Sequence, residues 1–291
     1  MAVDHAGVVV SLLAVYAEAG VTLAAKLMEV STRQGYEESL KYFKKVLRTL
    51  RFGPHYDPFN MHEAIAGVLF QLGRDQDCYE FMRAWAMAHM HGSDFAQMTL
   101  ALTNIESADI FEAIDVAWNR TNNIMPLVFL TLLKLKLLLD LKALEITTEV
   151  IGPKVPREIL DSIRPHVPAS SAITEAPELL RRDDHTADIN TLSQQARSLY
   201  KRLLERRDRL EHLLNKNCAD APDGSHVGLE RSAASAVEAE GGCTYIEQTV
   251  NYSYNCWKGI PGAEDFIRDL EAEIHRSGEL SHMVGIEGPQ I

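Results

Sequence analysis

The chain has 291 residues, of which 46% are hydrophobic and 24% charged, a balance that can bury a core and excludes wholesale disorder, collagen and a disulfide scaffold. Its 41 acidic against 29 basic side chains leave a formal charge of -12, whose field repels a phosphate backbone, so nucleic acid is not expected as a partner. The four cysteines, Cys78, Cys218, Cys243 and Cys256, contain no CxxC pair; this removes the usual zinc frameworks and reads as isolated reduced thiols in a cytoplasmic or nuclear protein.

At the N-terminus the stretch Ala6 to Ala17 is almost uncharged, but Asp4 and His5 stand where a secretory signal carries basic residues, so secretion is not expected. Leu12, Val15, Tyr16, Ala19, Leu23 and Leu27 recur at helical spacing with Glu18 and Lys26 among them, which predicts a core-facing helix rather than a membrane span. Residues 8 to 145 read almost wholly as helix, because apolar residues recur three and four apart and no stretch alternates with period two.

Within that region Gly35 is followed by Leu40, Phe43, Val46 and Leu47, and Gly73, 38 residues later, is followed at the same offsets by Cys78, Phe81, Ala84 and Trp85. A glycine at a helix–helix corner with an aromatic eight residues on resembles the second helix of a tetratricopeptide-type unit, although a generic helical bundle with coincidental spacing is the alternative. In the repeat reading the glycine turns the chain with positive φ and the aromatic fills the groove against the preceding helix. Between the units, Gly53, Pro54 and Pro58 enforce a turn, after which Asn60 and Glu63 form an approximate capping box.

A short helix is expected near Ala108 to Trp118, then a leucine-rich helix opened by Pro126 in its first turn. That helix is apolar on nearly every side, so it is expected to be the most buried element, with Lys134 and Lys136 snorkelling to solvent or meeting carboxylates. Beyond Leu144, Gly152, Pro153, Pro156, Pro165 and Pro168 mark a boundary. The expected organisation is a helical-repeat domain at 1–166, a linker at 167–190 and a C-terminal helical region at 191–291. In the last of these, Leu192, Ala196, Leu199, Leu203, Leu210 and Leu214 form one seam. Ala219 to Gly242 is small and acidic and reads as a disordered loop; the aromatics Tyr245, Tyr252, Tyr254 and Trp257 and a last helix from Ala263 to about His275 then pack as a terminal pair.

The common catalytic and phosphate-binding motifs are absent from the chain. His89 with His91, and His55 with Asp57, read as solvated or capping groups. The run Lys201, Arg202, Arg206, Arg207, Arg209 is interleaved with Glu205, Asp208 and Glu211 and reads as a solvated helix face. No catalytic, cofactor-binding or metal-ligating residue is assigned.

The string LGRDQDCYEF at Leu72 to Phe81 resembles a signature of largely uncharacterised fungal helical proteins, some of which carry a MYND-type zinc finger. Ala108 to Glu112, Leu130 to Leu141, Pro156 to Pro165 and Asn255 to Ala263 are similar to later blocks of that group. The resemblance implies an all-α fold of antiparallel, tetratricopeptide-like helix pairs with a C-terminal helical extension, and carries over no active-site residue. The structural motif residues, from the repeat pattern and from these strings together, are Gly35, Phe43, Gly73, Arg74, Asp75, Cys78, Tyr79, Phe81, Trp85 and Trp257. The finger itself needs a dense Cys/His array that four scattered cysteines cannot supply. The leading expectation for function is a non-catalytic scaffold binding a protein or peptide partner, with no cofactor and no membrane. The alternatives are a structural subunit that associates through the Leu192 to Leu214 seam, and an enzyme whose site no local motif reveals.

Overall fold

The computed structural model describes residues 5–50, 61–91, 109–114, 118, 124–219, 253 and 256–277, and every regular element among them is helical. Helices α1 (His5–Glu29) and α2 (Arg33–Leu50) are joined by a corner built on Ser31, whose φ is +52°. The Ser31 N–H donates to the Met28 carbonyl at 2.9 Å, and the Thr32 hydroxyl oxygen caps α2 by accepting the Gly35 N–H at 3.1 Å.

Gly35 is therefore not the corner residue that the repeat pattern predicts; it sits in the first turn of α2 in helical conformation. What it provides is space. A Cβ at Gly35 would lie 2.7 Å from the Leu27 carbonyl oxygen, and one at Gly20 would lie 2.6 Å from Val46 Cγ2. With the Ser39 hydroxyl donating to the Ala24 carbonyl at 2.9 Å, the contacts run 27 to 35, 24 to 39 and 20 to 46, which is the register of an antiparallel pair at close range.

The expected face of α1 is reversed. Ala17 and Ala24 are the residues buried against α2, whereas Val15, Tyr16 and Leu23 are 61%, 40% and 43% exposed. Small residues face inward because the two glycines bring α1 and α2 so close that larger side chains find no room, and the larger apolar ones are left outside.

Helix α3 (Met61–Gln71) starts where the capping-box pattern places it, and α4 (Asp75–His91) follows. Gly73 has φ +70°, its N–H donating to Phe70 O at 3.0 Å while the Arg74 N–H donates to Leu69 O at 3.0 Å. These two bonds are the Schellman termination, in which glycine takes the left-handed position. The pair is antiparallel: the Cys78 thiol donates to the Ala66 carbonyl at 3.4 Å, and one turn further out His62 stacks on Trp85 with centroids 3.5 Å apart. Every residue from Met61 to Phe70 is buried.

Leu40, Phe43, Val46, Leu47, Cys78, Phe81, Ala84 and Trp85 are all buried, as the repeat pattern expects. The two glycines nevertheless do different work, since α2 begins before Gly35 and α4 begins after Gly73.

Helix α5 (Ile124–Ile151) carries Pro126 in its first turn and is buried on all sides through most of its length, so it forms the centre against which α3, α4 and later helices pack. Leu132, Leu133, Leu137 and Leu138 are fully buried. Leu137→Ala should cost about 2–5 kcal/mol in urea melts; a variant as stable as the parent would refute the central placement.

Of the helix expected near Ala108 to Trp118, Asp109–Ile114 is a turn and Trp118 is helical, the other residues lying outside the described ones. The Asp109 carboxylate accepts the Phe111 N–H at 2.9 Å and its carbonyl accepts the Glu112 N–H at 2.8 Å, the local side-chain competition that favours turn over helix.

After α5 come a 3-10 turn at Gly152–Lys154, α6 (Arg157–Ile163), a second 3-10 turn at Arg164–His166, α7 (Ser171–Thr174) and α8 (Pro177–Arg181). Residues 167–190, expected to be a linker, are instead a packed strap in which Ser170, Ile173, Leu180 and His185 are buried. Buried Arg164 secures the strap, donating to the Thr148 hydroxyl at 2.9 Å and pairing with Asp183. Arg157, which also grips Asp183 at 2.7 Å, holds that carboxyl below its usual range together with Arg164.

Helix α9 (Thr186–Ala219) buries Leu192, Ala196, Leu199 and Leu203 and packs along α5. This half of the seam packs inside the chain; the side chains of Leu210 and Leu214 lie outside the described residues. Arg202, expected in a solvated face, donates to the Trp118 carbonyl at 2.9 Å. Helix α10 (Ala263–Ser277) docks Phe266, Leu270 and Ile274 on Tyr200 and Leu204 of α9, as expected for the terminal element. The acidic segment after Ala219, the three tyrosines before Trp257 and the side chains of His55, His89 and His91 lie outside the described residues.

Candidate functional site

The motif string at the α3–α4 junction is the point from which the buried polar contacts spread. Leu72 is buried, Gly73 makes the turn, and Arg74 forms an exposed pair with Asp77. Asp75 is fully buried and accepts both Lys136 Nζ contacts, at 2.8 and 2.9 Å. It also accepts the Ser170 hydroxyl at 2.8 Å and the Ser171 N–H at 3.0 Å. One carboxylate thus ties α4 to α5 and to the strap, with every bond charge-assisted.

Asp140, one turn along α5 from Lys136, accepts the Ala169 and Ser170 N–H groups at 3.1 and 2.7 Å. Burial pushes its carboxyl up from the usual range, against the pull of those two bonds. Lys136 further lies 5.2 Å from the Phe70 ring centroid. The expectation that Lys136 finds a carboxylate is met.

Lys134 behaves differently. It is 1% exposed, and its Nζ donates to two main-chain carbonyls, Ile110 at 2.7 Å and Glu112 at 2.8 Å, so it neither snorkels nor pairs with a carboxylate through a direct bond. Burial lowers its pKa to about 8 against the attraction of Glu112 and Asp109. The same turn is held from α4, where the Tyr79 hydroxyl donates to Glu112 Oε1 at 2.5 Å and Arg83 pairs with that oxygen at 3.2 Å. The two lysines, two residues apart on α5, therefore hold two different segments against opposite sides of one helix.

The other motif residues pack. Phe43 and Phe81 are buried, and His62 lies against both Trp85 and Phe81, with the second centroid at 6.2 Å. Trp257 is half-buried on the main core, beside Cys256, whose sulfur accepts the Gln71 amide at 3.4 Å. Burial pushes the Cys256 thiol up to about 12 and the Cys78 thiol upward as well, so both are held as thiols, the unreactive form.

Around His62, Glu63, Trp85, Met125 and Phe129 a cavity of about 10 Å³ remains, room for no more than a single water. Among the described residues no group of three or more His, Cys, Asp or Glu could hold a metal ion, and no helix is long and apolar enough to cross a membrane. Comparison of the chain with family models, with curated proteins and with solved structures gives no match.

Among the described residues, Asp75, Lys134, Lys136, Asp140 and Arg164 hold segments of the chain together. The surface that stands apart is α1, where Val15, Ala19, Thr22 and Leu23 line an open groove flanked by Glu18 and Lys26, continued by exposed Leu13 and Tyr16. The sequence pattern found this stripe and assigned it inward. The signal that could have corrected it is the second stripe, Ala17, Gly20 and Ala24, whose small residues suit close helix packing.

Proposed function

We propose that the chain is a non-catalytic helical scaffold that receives a protein or peptide partner on the outer face of α1. The observation that carries this reading is the exposure of Val15, Tyr16 and Leu23 along one side of a helix otherwise seated on α2. A contiguous apolar face rimmed by charged residues is the usual mark of an interaction site.

The antiparallel pairs α1/α2 and α3/α4, packed side by side, support a tetratricopeptide-like reading of the first half. The resemblance to the fungal helical proteins is proposed on the same footing, with the α3–α4 junction as its strongest part. Buried thiols at Cys78 and Cys256 suit a cytoplasmic or nuclear setting.

A photo-cross-linking amino acid placed at Thr22, compared with one at exposed Glu149, tests the reading in cells. Protein adducts from position 22 and not from 149 are expected; equal labelling, or none from 22, would reject α1 as the docking face.

A further inference from the structure

We propose that the occupant of the α1 face is α1 of a second copy, paired antiparallel about a two-fold axis passing between Gly20 and Val21. This rests on the reading that α1 is a docking face and names what docks there.

The outward residues Val15, Ala19, Thr22 and Lys26 follow one another at spacings of four, three and four, the seam spacing of paired helices. Ala17 and Ala24, buried against α2, lie on the opposite side of the helix from that seam, so the seam is free to meet a neighbour. A two-fold axis demands a self-complementary surface, on which residue i of one copy meets j of the other and j meets i. Here Val15 and Tyr16 at one end and Leu23 and Lys26 at the other enclose the small pair Ala19 and Thr22.

Antiparallel pairing sets Ala19 against Thr22 of the second copy, where small side chains allow close approach. Tyr16 then meets Leu23, and Val15 lies along the aliphatic stem of Lys26, each contact made twice.

Charge selects the same arrangement. The two-fold sets Lys26 opposite Val15 of the other copy, three residues from its Glu18 and within reach of the long lysine side chain, so each acid comes near the other copy's base. A parallel pair would instead set Lys26 against Lys26 on the seam. The present partner of Lys26 is Glu29, in an exposed pair with both side chains about two-thirds accessible, which holds the lysine only weakly.

The contact is a single helix face, of the small kind that holds transient rather than permanent pairs. The dimer should therefore be concentration-dependent.

Sedimentation velocity of the full chain from about 1 to about 100 µM is expected to show a monomer–dimer equilibrium. Leu23→Glu should abolish the dimer, Glu18→Lys or Lys26→Glu alone should weaken it at least about tenfold, and the double exchange Glu18→Lys with Lys26→Glu should restore it. Circular dichroism melts keep the test clean, since all three positions are exposed and each variant should fold as the parent does. A chain that stays monomeric throughout, or a double exchange no better than the single changes, would overturn the proposal. Should the chain be monomeric while Thr22 still cross-links to a different protein and Leu23→Glu removes that adduct, the second copy is wrong and the docking face stands. With neither dimer nor adduct, both fall.

Discussion

Asp75→Ala should destabilise the chain by about 3–5 kcal/mol, the range for removing one partner of a buried ion pair, and should do so more severely than Lys136→Met. The two members of the pair are not equivalent. Without Asp75, the Lys136 ammonium stays buried with only the Phe70 ring and the field of Asp140, and the Ser170 hydroxyl and Ser171 N–H lose their acceptor as well. Without Lys136, Asp75 keeps both of those donors, so the loss should be nearer about 1–3 kcal/mol. Urea unfolding of the two variants and of the double replacement measures the order directly. If Lys136→Met proved equal to or worse than Asp75→Ala, the carboxylate would not be the centre of this junction.

How far the sequence carried this picture follows from which physical signals are local. The helices were legible because hydrophobic spacing is a local property: the leucine helix, the Gly73 turn, the start of α3 and the docking of the last helix all appear where the pattern puts them. What the spacing could not decide is which side of an amphipathic stripe faces inward when a second, small-residue stripe competes, as in α1. There, the close approach allowed by Gly20 and Gly35 overrode side-chain size.

The strap at 167–190 was read as a linker because proline, serine and alanine contribute little apolar area. It is held by bonds to Asp75, Asp140 and Arg164, from partners 29 to 96 residues away along the chain at its Asp140 and Asp75 contacts. No composition window contains both ends of such a bond. The same is true of Lys134: a lysine in a leucine run looks like a residue seeking solvent, and its actual partners are the carbonyls of a turn whose conformation depends on Asp109.

Lys134 provides the second large effect, and it is one of pH. Its ordinary pKa of 10.5 is lowered to about 8 in the folded chain, chiefly by burial. Between those values the unfolded chain holds more protons at this site than the folded chain does, so folding is favoured progressively as pH rises through the window. Carrying the charged form inward at neutral pH costs about 3 kcal/mol relative to an unperturbed lysine, and that cost is relieved on deprotonation. The neutral amine still has two N–H groups, enough for the carbonyls of Ile110 and Glu112, so the clamp on the turn survives the loss of the proton. Other groups titrate nearby: burial raises the thiols of Cys78 and Cys256 and the Tyr79 hydroxyl, which oppose folding as the solution becomes more alkaline. They are present in a Lys134→Met variant too, so the informative quantity is the difference in stability between parent and variant. That difference should be flat near pH 7 and shift in favour of the parent by up to about 1.4 kcal/mol per pH unit between about pH 8 and 10. Guanidinium unfolding at several pH values across that window measures it; parallel curves for parent and variant would mean that Lys134 carries no buried charge to relieve.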